Sequence, residues 1–332
     1  MARMRSVRVG LSLPPQLPPA RIPRIARHAE DAGFDELWLA EDCFFAGGIA
    51  AVSAALAATD DITVVIGILP AAARNAAFTA MELAALAELY PHRVVGGLGH
   101  GMPGWMRQVG AAPRSPLTAL RERLEAVRAL LAGQTVSVNG DYVHLDAVKL
   151  DHPPETPPPV LAGVRGPKSL ELAGRSADGV ILAWPVTPGY IEHAADLVAQ
   201  GRREAASPGP GKLLVGTPIS LDQDKAAAAE RLRPLVATEL NSPSSQAHLE
   251  PTGLAEKVNE LRAMCASLDE FAARIPREWI ETLTVCGTAH DCANAVHALH
   301  QAGAGSVALS LPGSLTREQI THLGRELLPE LR

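Results

Sequence analysis

Runs of strand length and runs of helix length alternate along this chain, and that rhythm restricts the fold more than any other feature of the sequence. Val7–Leu13 reads as a first strand, halted by Pro14-Pro15. Arg21–Ala32 spaces Ile22, Ile25 and Ala29 three and four apart, on one helix face, and closes at Gly33. Glu36–Ala40 is a second strand and Ala50–Ala58 an alanine-rich helix. Ile62–Ile68 has the apolar, β-branched character of a strand buried on both faces. Asn75–Tyr90 is a helix stopped by Pro91, Arg93–Leu98 a strand and Leu117–Ala132 a helix. Strands at Pro159–Ala162, Gly179–Ala183, Leu213–Leu221 and Ser306–Leu311 follow. Helices are expected at Lys168–Ser176, Pro188–Gly201, Lys225–Glu239, Asp291–Ala302 and Arg317–Leu328.

Eight strands, each followed by a helix, close most naturally into an α/β fold of the (β/α)8 (TIM) barrel type. A doubly wound open sheet is the rival, but no GxGxxG follows the first strand. Two stretches break the rhythm and read as insertions. Residues 135–158 hold a hairpin about Asn139-Gly140, and 241–283 are irregular with a helical part at Leu254–Leu268. The length of 332 residues suits one barrel domain over 1–332 with those insertions, and 47% hydrophobic residues fill its core. A net charge of −6 and the lack of a basic run argue against nucleic acid as a partner. The start of the chain is basic without a long apolar segment, so neither a secretory signal nor a membrane span is expected. Cys43, Cys265, Cys286 and Cys292 form no CxxC, and no His pair at metal-ligand spacing accompanies them, which points to buried or free thiols in a reducing cytoplasm and to no metal site.

The stretch Pro159–Trp184 carries the clearest chemistry. A strand, the turn Gly163-Val164-Arg165-Gly166, a helix opened by Pro167 and a second strand make a βαβ unit. The helix end presents unpaired N–H groups and positive potential just beyond a strand, and Arg165 and Lys168 add two cations. This is a phosphate site in sequence; the plain alternative is a tight turn. In a barrel, function sits at the C-terminal strand ends. Those are Glu41-Asp42, Gly67-Ile68-Leu69-Pro70, Gly99-His100-Gly101, Gly163–Lys168 and Trp184.

These residues carry a resemblance. GFDELWLAED (Gly33–Asp42), ITVVIGILPAAARNAAFTA (Ile62–Ala80), RVVGGLGHG (Arg93–Gly101) and GPKSLELAGRSADGVIL (Gly166–Leu182) are similar to motifs of the luciferase-like monooxygenase superfamily. The chain most resembles its F420-dependent, methylenetetrahydromethanopterin reductase-like branch. The resemblance implies a (β/α)8 barrel that transfers a hydride between coenzyme F420 and a small organic substrate at its mouth. The alternative is an FMN-dependent monooxygenase fed by a separate flavin reductase; a non-catalytic flavin carrier ranks below both.

It also implies roles. Gly67, Ile68 and Leu69 fall at a bulge behind the cofactor ring, and Gly99 beside it. Gly163, Val164, Arg165, Gly166, Pro167 and Lys168 fall at the phosphate, and Asn75 near the ring's edge unless it is a helix N-cap. The family's Asp-His after strand two is Glu41-Asp42 here, and His100 stands where the sugar-phosphate dehydrogenases carry a glutamate. His100, Asp42 and Glu41 are therefore the expected catalytic residues, with His100 moving the proton and Asp42 orienting it. Phe44, Phe45, Met102, Trp105 and Trp184 frame an apolar substrate pocket, and Arg165, Lys168 and Arg202 offer a cationic groove for a polyglutamate tail. A homodimer through the helices near strands two and three is expected, as is a partner F420 or flavin reductase.

Overall fold

The computed structural model describes residues 7–313 and 315–332, so the basic start of the chain lies outside the described residues. The elements run β1 (Arg8–Ser12), α1 (Ile22–Asp31), β2 (Glu36–Leu39), α2 (Gly48–Ala57), β3 (Thr63–Ile66), β4 (Leu69–Pro70), α3 (Ala76–Leu89) and β5 (Val94–Gly99). Then come α4 (Pro103–Gln108), α5 (Pro116–Leu131), β6 (Val136–Asn139), β7 (His144–Val148), β8 (Val160–Gly163), α6 (Pro167–Ser176) and β9 (Gly179–Leu182). The chain continues through α7 (Pro188–Glu204), β10 (Lys212–Leu221), α8 (Lys225–Leu240), α9 (Gln246–Leu249), α10 (Leu254–Ala263), α11 (Leu268–Arg274) and α12 (Arg277–Leu283). It ends with β11 (Val285–Gly287), α13 (Ala289–Gln301), β12 (Ser306–Ser310) and α14 (Arg317–Glu326).

Parallel pairing runs β1-β2-β3-β5-β8-β9-β10-β12 and returns to β1, which closes the expected eight-stranded barrel. The register is continuous across the closure, with Val9 opposite Val307 and Leu11 opposite Leu37. Inside, Trp38, Val65, Leu161, Ile181, Leu214 and Ala308 form a packed core, as barrel interiors require. Trp38 carries a polar atom into that core, and its indole N–H donates to Glu36 at 3.0 Å. Glu36 also accepts from Ser306 and Arg8, so its buried charge is fully partnered. A larger core between barrel and helices is built mostly from Ala, Val, Leu and Ile.

Three local features differ from the sequence expectation. The hairpin forms, but Asn139 pairs with His144, so Gly140–Val143 is the loop and Asn139-Gly140 is not a two-residue turn. Buried Glu122 imposes this, its carboxylate accepting the N–H groups of Asp141, Tyr142 and Val143. The stretch 241–283 is largely helical. Its helices pack with α8 around Leu232, Val236, Phe271, Trp279 and Ile280 as a separate apolar cluster. Helix α4 and strand β11, which extends the sheet beside β10, had no sequence signal.

Helices α6 and α7 touch backbone to backbone. A Cβ on Gly174 would fall 2.1 Å from the Val198 carbonyl oxygen, and one on Gly201 2.0 Å from that of Glu171. This contact fixes the axis of α6, and with it the point at which the helix N-terminus meets the rim. Among the described residues no helix is long and apolar enough to cross a membrane.

Candidate active site

The site is built where β8 hands over to α6. Gly166 is the N-cap of α6 in extended conformation, with no side chain capping the helix and open space before its α-carbon. Asn75, Ser115 and Thr187, by contrast, cap α3, α5 and α7 with their side chains. Helices α1 and α4 also lack a side-chain cap. The open end of α6, however, lies just beyond a barrel strand with Lys168 in its first turn, a setting that suits an anion. Lys168 is exposed in its first turn. Ser169 beside it places Oγ 3.3 Å from Nε2 of His100, which follows β5. The other ring nitrogen of His100, Nδ1, is buried and has no hydrogen-bond partner among the described residues. Burial holds the imidazole below its usual range, partly offset by the Pro116 backbone.

Across the rim, the third barrel strand is interrupted between β3 and β4 by a cis peptide joining Gly67 to Ile68. Ile68 is laid over glycine. A Cβ on Gly163 would stand 2.4 Å from Ile68 Cγ2, and one on Gly99 2.9 Å from Cγ1. The glycine-rich run of β5 therefore makes room for this side chain, and only small residues serve there. Leu69 continues into the core, fully buried. The Ile68 carbonyl accepts the Glu41 N–H at 3.0 Å, which binds the end of β2 to the same point. Gly67, Ile68, Gly99 and Gly163, distant in sequence, thus meet in one place.

Glu41 and Asp42 diverge. One oxygen of Glu41 accepts from Arg74 at 2.7 Å and the other from the Gly48 N–H at 2.7 Å, so it caps α2 and anchors the following turn. Arg74 also pairs with Glu82, and its carbonyl accepts from Arg123. Glu41 is a fixed structural carboxylate. Asp42 is half-buried, and desolvation pushes its carboxyl above the usual range. No hydrogen bond joins Asp42 to His100 among the described residues; the imidazole is oriented by Ser169 instead. Asn75 Oδ1 is spent on capping α3, accepting from Ala77 at 2.9 Å.

The aromatic frame is only partly a frame. Phe44, Phe45 and Met102 are exposed, and Trp105 is half-buried on α4. Trp184 packs against the late helices, its indole N–H donating to the Leu283 carbonyl. Two further bonds at this rim are cis, Cys43–Phe44 and Trp184–Pro185. Arg202 does not reach the rim: its guanidinium bonds the carbonyls of Gly209, Pro208 and Ala177, near the start of β9. The hollow beside Pro167 is lined by Glu192, His193, Asp196 and Glu250, which is acidic rather than cationic. Arg165 turns to Glu239 of α8, at 3.8 Å. Glu239, Tyr190, His248, Arg74 and Ser169 were not singled out in the sequence. Each is placed by contacts across many residues, which no local pattern announces.

The residues present fit a phosphate-bearing flat cofactor. There is an uncapped helix end with a lysine, a side chain backed by glycines, and an orphaned buried ring nitrogen. No trio of His, Cys, Asp or Glu gathers at metal-binding distance among the described residues. The fold is a (β/α)8 barrel, and the uncapped start of α6 on its C-terminal rim is its candidate anion site.

The chain belongs to the luciferase-like monooxygenase family, whose sequence model matches residues 5–306. It is 26% identical to the 5,10-methylenetetrahydromethanopterin reductase of Methanolobus tindarius over 96% of this chain and 99% of that one. It is 28% identical to the F420-dependent glucose-6-phosphate dehydrogenase of Tsukamurella paurometabola over 96% of this chain and 95% of that one. Its fold matches the F420-dependent tetrahydromethanopterin reductase of Methanopyrus kandleri with a TM-score of 0.82 at 23% identity, covering 99% of this chain and all of that one.

Proposed function

We propose that the protein transfers a hydride between coenzyme F420 and a small organic molecule at the barrel mouth. It is an oxidoreductase that uses F420 or a related flavin-type cofactor. The observation that carries the reading is the meeting of the uncapped α6 end with the glycine-backed Ile68 on one rim. Relatives named for F420-dependent reactions span nearly the whole chain, which favours F420 over FMN. Gly166 and the first turn of α6, with Lys168, would hold the phosphate, and Ile68 would back the ring. When bound, the cofactor supplies the carbon that gives or takes the hydride.

The chain's own residues then manage the proton. Burial raises the Asp42 carboxyl and lowers the His100 imidazole, so their proton affinities approach each other. Both groups stand at the rim, and either one suits the general acid–base step that hydride transfer requires. Ser169 orients His100 and ties the proton-moving residue to the phosphate end of the site. The hydroxyl-poor rim of Phe44, Met102 and Trp105 suits an apolar substrate.

A homodimer is part of the same reading. Helix α3 is apolar on its inner face and also outward, where Phe78, Met81 and Leu89 stand 66%, 52% and 67% exposed. A helix apolar all round is normally covered on both sides.

The test is F420 reduction, followed at the cofactor's visible absorption band, with secondary alcohols, methyl-tetrahydropterins and sugar phosphates offered in turn as hydride donors. Bleaching with one class and not with sugar phosphates is expected. Inertness toward every class, together with oxygenation when reduced FMN and oxygen are supplied, would move the protein to the monooxygenase reading.

A further inference from the structure

We propose that Glu239 is a counter-charge and positioning residue for the anion site, holding one edge of the Arg165 guanidinium and weakening phosphate binding whenever its carboxyl is ionised. The inference rests on the reading of the α6 turn as the cofactor's phosphate site.

Arg165 lies in the turn that opens α6. Its backbone is pinned, the carbonyl accepting from the Tyr190 hydroxyl at 2.8 Å. Its side chain crosses to the end of α8, with Nη1 3.8 Å from Glu239 Oε1. Both atoms are buried and neither has a hydrogen-bond partner. Charge, rather than a bond, links them, in a contact that solvent screens in part. The Arg165 side chain is still 36% exposed, and its residue lies in the turn that opens α6, so an anion at that turn would feel its charge.

His248 of α9 completes the cluster. It is 1% exposed, its ring 4.5 Å from that of Tyr190, and both ring nitrogens lack partners. The groups that face Arg165 and Glu239 are therefore His248, Tyr190 and the Ser244 hydroxyl. Burial and the Arg165 charge push His248 down to about 4, with the Pro185 backbone opposing, and burial pushes the Tyr190 phenol up. Neither changes charge between about pH 5 and 8. Glu239 is raised by burial, and Arg165 and Ser244 pull it back in part. It is the member of this cluster whose charge turns over above the ordinary carboxylate range. At the other side of the α6 turn His100 also titrates.

An ionised Glu239 cancels much of the Arg165 charge that an incoming phosphate would feel; a protonated one leaves it intact. Affinity for a phosphate-bearing cofactor should thus fall as pH rises through the Glu239 transition. Glu239 lies at the end of α8, just before the 241–283 insertion, and that insertion contributes Ser244 and His248 to the same cluster.

The experiment measures dissociation constants by fluorescence quenching from pH 5 to 8.5, for F420 and for its deazaflavin core lacking the phosphate. The phosphodiester of F420 stays charged throughout, and the core cancels titration of the ring. We expect Glu239→Gln to bind F420 about three- to tenfold more tightly than the parent at pH 8, the gap narrowing as the pH falls. The phosphate-free core should bind both alike, and the effect should vanish in an Arg165→Gln background. Equal or weaker F420 binding by a folded Glu239→Gln at pH 8 would overturn this proposal alone. Failure of the parent to bind F420 at any pH would overturn the cofactor reading and this proposal with it.

Discussion

Asp42 follows β2 and His100 follows β5, strands that β3 separates in the barrel, and the structure gives them different partners, so their substitutions should separate accordingly. General acid–base help contributes about 10²–10⁴ in rate. His100→Ala is expected to lower turnover by at least about a hundredfold while F420 binding changes less than about tenfold; Asp42→Asn should lose less and shift the pH optimum. Binding lost in proportion to rate would make His100 a phosphate ligand through its Ser169 contact. Glu41→Gln should act on stability instead, because it breaks the contact with Arg74 and the α2 cap. His248 gives a different signal. The unfolded chain takes up a proton near the ordinary imidazole pKa, whereas the folded chain refuses it until about 4. Stability is therefore lost as pH falls through that window, by up to about 3 kcal/mol. His248→Phe keeps the stack on Tyr190 and should flatten the decline of Tm from pH 7 to 4.5. Parallel curves for the two proteins would refute this.

Among the elements, α6 carries the most. Charge-assisted bonds to a phosphate contribute about 1.5–3 kcal/mol each. Lys168→Ala should weaken cofactor binding ten- to a hundredfold by titration. Gly166→Val should do more, by filling the space before the helix end. Wild-type affinity in both variants would reduce the unit to a turn. The element itself was legible in sequence, because Pro167 at the first helical position and the flanking β-branched strands are local signals. So were the alternation and all eight barrel strands. What was not legible depends on partners far along the chain. The four-residue hairpin loop follows from Glu122, some twenty residues upstream. The helices of 241–283 are short and stabilise one another through Phe271 and Trp279. The commitment of Glu41 to Arg74, and of Arg165 to Glu239, is likewise invisible until the barrel closes.

At the scale of the whole molecule, the barrel brings strand ends from residues 41 to 184 onto one rim, and the outward apolar stripe of α3 faces away from its own core. Light scattering at micromolar concentration should give a dimer, and Phe78→Asp combined with Met81→Asp should give a folded monomer. A monomeric parent would remove the dimer from the account. The central claim is that this rim binds a deazaflavin cofactor through its phosphate. Titration of the protein with F420 and with FMN, each followed by fluorescence quenching, measures that claim directly. The account predicts micromolar or tighter F420 binding with FMN weaker; tight FMN binding with no response to F420 would contradict it.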